Sequence, residues 1–175
     1  MSRAYLFVSI DTVSDQANGW EPRHPRSFEG ITDGVVERIH PLFERFDAKP
    51  TYLLAPEVLS DSACVATFRA LAPTCELGTH LPHFTGDRAA VAPEVERAEL
   101  TSLTDAFIRA FEHQPQSFRA SRSRIGPTSI GILESLGYLV DASVTPHVGA
   151  FHDAPSQPYR PDTLAPGQRG YATLT

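Results

Sequence analysis

The chain has 175 residues, 41% of them hydrophobic and 21% charged, and a formal net charge of −6. That describes a single globular domain with enough apolar content to bury a core. There is no basic cluster for a nucleic-acid backbone to settle on, and the longest apolar stretches, such as 4–10, fall far short of the roughly 18 residues a membrane span needs.

Met1–Arg3 leads straight into an apolar run with no basic segment, long apolar region or cleavage site, so no signal peptide and a cytoplasmic location are expected. Cys64 and Cys75 make neither a CxxC motif nor a disulfide framework, which fits a reducing compartment. Both read as small buried hydrophobes.

Residues 4–10 form a β-branched and aromatic run that stops at Asp11, the pattern of a buried strand. Residues 15–30 carry Gly, Asn, Pro and the only Trp, and read as a loop. Ile31, Val35, Val36, Ile39, Leu42, Phe43 and Phe46 recur at helical spacing, with Thr32 and Asp33 as capping candidates and Pro41 as a kink. A second strand is expected at 51–55, closed by Pro56, and a short helix opens at Ser60 and Asp61. A third strand at 75–79 runs into His80.

Pro93 begins a long helix with Val95, Leu100, Leu103, Phe107, Ile108 and Phe111 as its apolar stripe, and Pro115 ends it. A minimal strand at 117–120 follows. After Pro127, Ile130, Leu133 and Leu136 mark another helix, with Gly137 as the residue just past its end. A fifth strand is expected at 138–140, an irregular Pro-rich stretch from 145 to 168, and the start of a further strand at 171–175. Strand alternating with helix implies a parallel sheet or barrel.

The chemistry-bearing residues follow those strands: Asp11 the first, His80 and His83 the third, Arg119 and Arg122 the fourth, Asp141 the fifth. The carboxyl ends of parallel strands converge on one face, where α/β proteins build their sites. A carboxylate at Asp11 suits a general base or a metal ligand, with an Asx turn or helix cap as the plain alternative. His80 and His83, three apart, can reach one divalent ion. Arg119 and Arg122 can hold a carboxylate base in its ionised form, or form a structural ion pair. Asp141 and Ser143 either orient those arginines or cap a turn. Trp20 and Phe84 suggest a stacking wall for a sugar, or local packing. Arg23, His24 and Arg26 read as a small solvated group.

Four stretches in order, 7–12 (FVSIDT), 76–83 (ELGTHLPH), 118–122 (FRASR) and 136–145 (LGYLVDASVT), resemble the polysaccharide deacetylase family, the chitooligosaccharide deacetylase-like carbohydrate esterases. The resemblance runs through essentially the whole chain, including 154–161. It implies a distorted (β/α) barrel and a divalent metal, usually zinc, that serves hydrolysis of an N-acetyl or other C–N amide bond on a sugar. By the same resemblance Asp11 is the base, His80 and His83 hold the metal, Arg119 tethers Asp11, and Asp141 lies in the outer shell. Trp20, Phe84 and Arg122 are the candidate contacts to a glycan or acetamido-sugar substrate.

The sequence departs from the family pattern in three places. The second acidic residue expected just after the first is replaced by Thr12 and Val13, leaving Asp15 as the substitute metal carboxylate only if its loop bends back. The usual histidine pair is four apart, and position 84 is Phe. The late strand that carries the family's general acid has no counterpart, and a closed barrel takes about 250 residues, so a single domain over 1–175 with an open or incomplete barrel is expected. These departures set a second reading beside the deacetylase, a degenerate member that binds carbohydrate without turnover. A third keeps the hydrolase and changes the substrate to a small cyclic amide.

Overall fold

A computed structural model describes residues 6–17, 21–82, 91–123, 125–145 and 147. Five strands form one parallel sheet: β1 (Ser9–Thr12), β2 (Thr51–Leu54), β3 (Glu76–Leu81), β4 (Ser117–Ala120) and β5 (Val140–Asp141), hydrogen-bonded in chain order. Strictly sequential order is the winding of a barrel wall; a doubly wound sheet would reverse at a switch point. The architecture is a distorted β/α barrel wall, as expected.

Helices connect the strands. A wide-turned helix, Gly30–Ile39, runs into α1 (His40–Arg45); α2 (Pro56–Leu59) and α3 (Ser62–Leu71) follow β2, α4 (Pro93–Phe111) follows β3, and α5 (Ser129–Ser135) follows β4. The proline at 41 lies in the first turn of α1, directly after the wide-turned helix. Just before it the His40 N–H reaches back to the Val35 carbonyl, a wide i→i−5 turn.

Strand alternation and register sort the sheet into two faces. Tyr52, Leu54, Leu77 and Phe118 face the helices and form the core with Phe68, Leu100, Leu103, Phe107, Ile132 and Leu133. Polar side chains in this layer are paired. The Thr104 hydroxyl donates to the Leu100 carbonyl at 2.7 Å, so it accepts from Tyr138, 3.0 Å away. Tyr138 in turn takes the Thr79 hydroxyl at 2.9 Å. This chain ties β3 to α4.

The opposite face carries two rows in register, Ser9–Thr51–Glu76 and Asp11–Leu53–Gly78, with His80 beside Arg119 above them. Leu53 is fully buried at its middle. Gly78 leaves it room: a Cβ there would land on the Ser117 carbonyl oxygen and 2.8 Å from Leu53 Cδ2. At the lower edge Glu76 accepts hydrogen bonds from Thr51 Oγ1, at 2.7 Å, and from Ser117 Oγ. One carboxylate thus clamps three strands.

Several expectations shift. β1 starts at Ser9, after residues 6–8, with 4 and 5 outside the described residues; Asp11 thus lies within the strand, as does His80 within the longer β3. β5 begins at Val140, and Tyr138 belongs to the core. The stripe expected before β2 is buried only in part: Ile31 and Val35 enter the core, whereas Leu42 and Phe46 are 54% and 73% exposed. Neither Thr32 nor Asp33 caps the first helix; Asp15 does so from the preceding loop, accepting the Gly30 N–H at 3.0 Å.

Candidate active site

Arg119 and Asp11 define the site. Neighbouring strands lie about 4.8 Å apart, so a flat sheet would put β4 some 14 Å from β1, beyond the reach of one side chain. Yet Arg119 Nη1 donates to Asp11 Oδ1 at 3.0 Å, and Nη2 donates to Ser9 Oγ. The sheet curls, and this face is its concave side. Ser9 and Asp11 meet the same guanidinium because residues two apart on a strand share a face.

Arg119 is held on its other side by the Ala142 carbonyl, which accepts from Nε at 3.0 Å. Its fork is therefore committed in three directions, which fixes Asp11 in orientation.

His80 lies beside Arg119 and is buried. Its Nδ1 is 3.1 Å from the Arg119 carbonyl, which can only accept, so Nδ1 carries the hydrogen and Nε2 keeps a lone pair. Burial pushes its pKa below the ordinary histidine range, against the opposing pull of Asp11, whose Oδ1 is 3.7 Å from Nδ1. A neutral imidazole oriented by a backbone carbonyl is the form in which histidine binds a metal.

Thr12, the residue after Asp11, turns to the other face, where its hydroxyl donates to the Leu53 carbonyl at 3.0 Å. No carboxylate takes the family's second acidic position. Asp15, the substitute expected from the sequence, accepts from the Ser27 hydroxyl and the Gly30 N–H at the start of the first helix. Among the described residues no group of three or more His, Cys, Asp and Glu side chains could hold a metal ion. Asp11 and His80 bring the right donor chemistry, but they are two donors where a catalytic zinc commonly has three protein ligands. His83, with Trp20 and Phe84, lies outside the described residues.

Asp141 sits at the end of β5 and bonds locally, accepting both the N–H and the hydroxyl of Ser143. Burial raises its carboxyl above the ordinary aspartate range, opposed by those two bonds. The nearby Arg119 charge opposes that shift as well. Arg122 is exposed just past β4 in a left-handed backbone conformation, φ 54°, and no hydrogen bond joins it to the cluster. Ser9 was legible in principle, two residues before a candidate base on an alternating strand. The Ala142 carbonyl was not, because nothing in a sequence marks one backbone oxygen from another.

No protein-family model and no curated protein matches the sequence. Solved structures do match in fold. A CE4 family pseudoenzyme from Bacillus anthracis superposes with a TM-score of 0.56 at 12% identity, over 77% of this chain and 41% of that one. The chitin deacetylase of the fungal pathogen Colletotrichum lindemuthianum gives 0.55 at 14% identity, over 77% and 53%. A family 4 acetyl xylan esterase from Clostridium thermocellum, in complex with a cobalt ion, gives 0.52 at 14%, over 72% and 53%. The likeness shows the fold, that of the CE4 deacetylases. This chain spans between 41% and 53% of the length of these three neighbours.

Proposed function

We propose that the protein is a metal-dependent hydrolase that removes an N-acetyl group from a glycan or acetamido sugar. The observation that carries this reading is the Asp11–Arg119–His80 cluster on the concave face of a CE4-type sheet. Asp11 accepts the proton of the attacking water on Oδ2, the oxygen that Arg119 Nη1 leaves free. Arg119 keeps that carboxylate aimed. His80 offers Nε2 to the metal, with His83 as its partner by sequence; zinc is the first choice, and the cobalt of one fold neighbour makes that ion a second. Such an ion, when bound, lowers the pKa of a bound water and polarises the amide carbonyl. Arg122, Trp20 and Phe84 are the proposed contacts to the sugar, and Asp141 the outer support.

The test is acetate release from a panel of acetamido sugars by the chain reconstituted with zinc or cobalt, beside Asp11→Asn and His80→Ala. Release by the parent and loss in both variants is expected. Near one equivalent of metal in the parent and little in His80→Ala, by elemental analysis, is the matching binding result. The second reading, a degenerate member that binds sugar without turnover, is favoured by Thr12, whose hydroxyl is committed to Leu53 where the family has a metal carboxylate. Sugar binding by equilibrium dialysis with no acetate release from any substrate would select it.

A further inference from the structure

The hydrogen-bond ladder between β4 and β5 changes partner where it reaches the site. In a parallel pair the amides and carbonyls of each strand alternate along the ladder. Val140 N–H donates to the Gln116 carbonyl at 3.0 Å and Ala142 N–H to the Phe118 carbonyl at 2.8 Å. The next bond in that series would run from Ala120 N–H to the Ala142 carbonyl. Instead Ala120 N–H donates to Ser143 Oγ at 2.8 Å, and the Ala142 carbonyl accepts Arg119 Nε at 3.0 Å. The Ser143 side chain is buried, and Asp141 accepts its hydroxyl hydrogen, so an oxygen lone pair faces Ala120.

We propose that Ser143 is a positioning residue for the Arg119–Asp11 pair: its hydroxyl takes the Ala120 amide in place of the Ala142 carbonyl, and thereby leaves that carbonyl to anchor the Arg119 guanidinium. Without the hydroxyl, the Ala120 amide needs another buried acceptor, and the nearest in the ladder is the carbonyl Arg119 is using. Asp141 acts one step further back, by orienting the Ser143 hydroxyl. The proposal rests on Asp11 being the working carboxylate, but the geometry it describes exists with or without turnover.

The experiment is NMR on the 15N,13C-labelled chain, with the Arg119 Nε–H signal assigned by its loss in Arg119→Lys. In the parent, a slowly exchanging Nε–H and a coupling across the hydrogen bond to the Ala142 carbonyl carbon are expected. In Ser143→Ala that Nε–H should exchange at least about tenfold faster, the loss of one charge-assisted bond. Ser143→Thr, which keeps the hydroxyl, should restore it. If Ser143→Ala fails to fold, as judged by its melting curve, Ser143→Cys, a much weaker acceptor, carries the same comparison. Fast exchange and no coupling in the parent would overturn the proposal, as would an unchanged Arg119 signal in a folded Ser143→Ala or Ser143→Cys chain. Neither readout needs metal, substrate or activity, so failure here is distinct from failure of the deacetylase reading.

Discussion

Arg119 on β4 and Asp11 on β1 meet at 3.0 Å across two intervening strands. The contact requires the sheet to curl, and on its inner face Leu53 packs beside Gly78, where a Cβ would meet both Leu53 Cδ2 and the Ser117 carbonyl oxygen. Asp11 is 37% exposed at its side chain, so the ion pair is wet enough that its Coulombic contribution is small.

Asp11→Asn therefore separates chemistry from stability. It keeps the shape and one hydrogen-bond acceptor, and should cost less than about 1 kcal/mol of folding stability in urea titration. Acetate release should fall at least about 100-fold, because an amide cannot accept the proton. A loss of several kcal/mol would mark the pair as a structural bridge instead.

Gly78→Ala tests the curl. The added methyl meets the Ser117 carbonyl oxygen and Leu53 together, and neither can move without disturbing β4 or the filling of the inner face. A destabilisation of about 1–3 kcal/mol or more is expected, read as a lower urea midpoint with an unchanged slope. Trimming Leu53 to Val in the same chain should recover part of it; an additive loss would show that the Leu53 contact is not the cause.

Tyr138→Phe tests the polar chain through the core. Thr104 still donates to Leu100, but the Thr79 hydroxyl loses its acceptor in a fully buried position. The expected cost is about 1–3 kcal/mol. Adding Thr79→Val should reduce that cost, because the orphaned group is then gone. A double variant no better than the single would refute this account.

The two thiols predict a pH dependence. Burial pushes Cys64 up to about 12 and Cys75 up to about 11, from an ordinary 9.0. Both groups hold their protons more tightly when folded than when unfolded. Their contribution to stability is thus fully present below pH 9.0 and is lost as the pH rises through about 11 and 12. A Cys64→Ala, Cys75→Ala chain should show a flatter decline in melting temperature above pH 9.0 than the parent. Thiol reagents at pH 8 should label neither cysteine until the chain is unfolded; rapid labelling of the native chain would contradict the burial.

Much of the fold was legible before the structure because its signals are local. β-Branched runs bounded by Pro and Gly located the strands. The apolar spacing from Pro93 to Phe111 outlined α4 almost to the residue, and Gly137, at φ 86°, closes α5 as a residue without a Cβ can. Boundaries slipped where local preference is weak. The 6–8 stretch has strand composition, yet β1 begins at Ser9, where pairing with Thr51 starts. Val36, Ile39, Leu42 and Phe46 have helical spacing, but only part of that stripe finds a neighbour to bury against.

For the site, chain order placed Asp11, His80 and Arg119 at the same edge of a parallel sheet. Those inferences need only the periods of strands and helices, which the amino acids themselves impose. Tertiary structure alone decided the rest. It turned Asp15 to a helix start, gave Thr12 to the Leu53 carbonyl, and brought β4 within reach of β1. It also exchanged the partners of the Ala120 amide and the Ala142 carbonyl. Each of these depends on how far the sheet curls and on which backbone group is left without a partner when it does. Those are properties of packed strands, and no single stretch of sequence carries them.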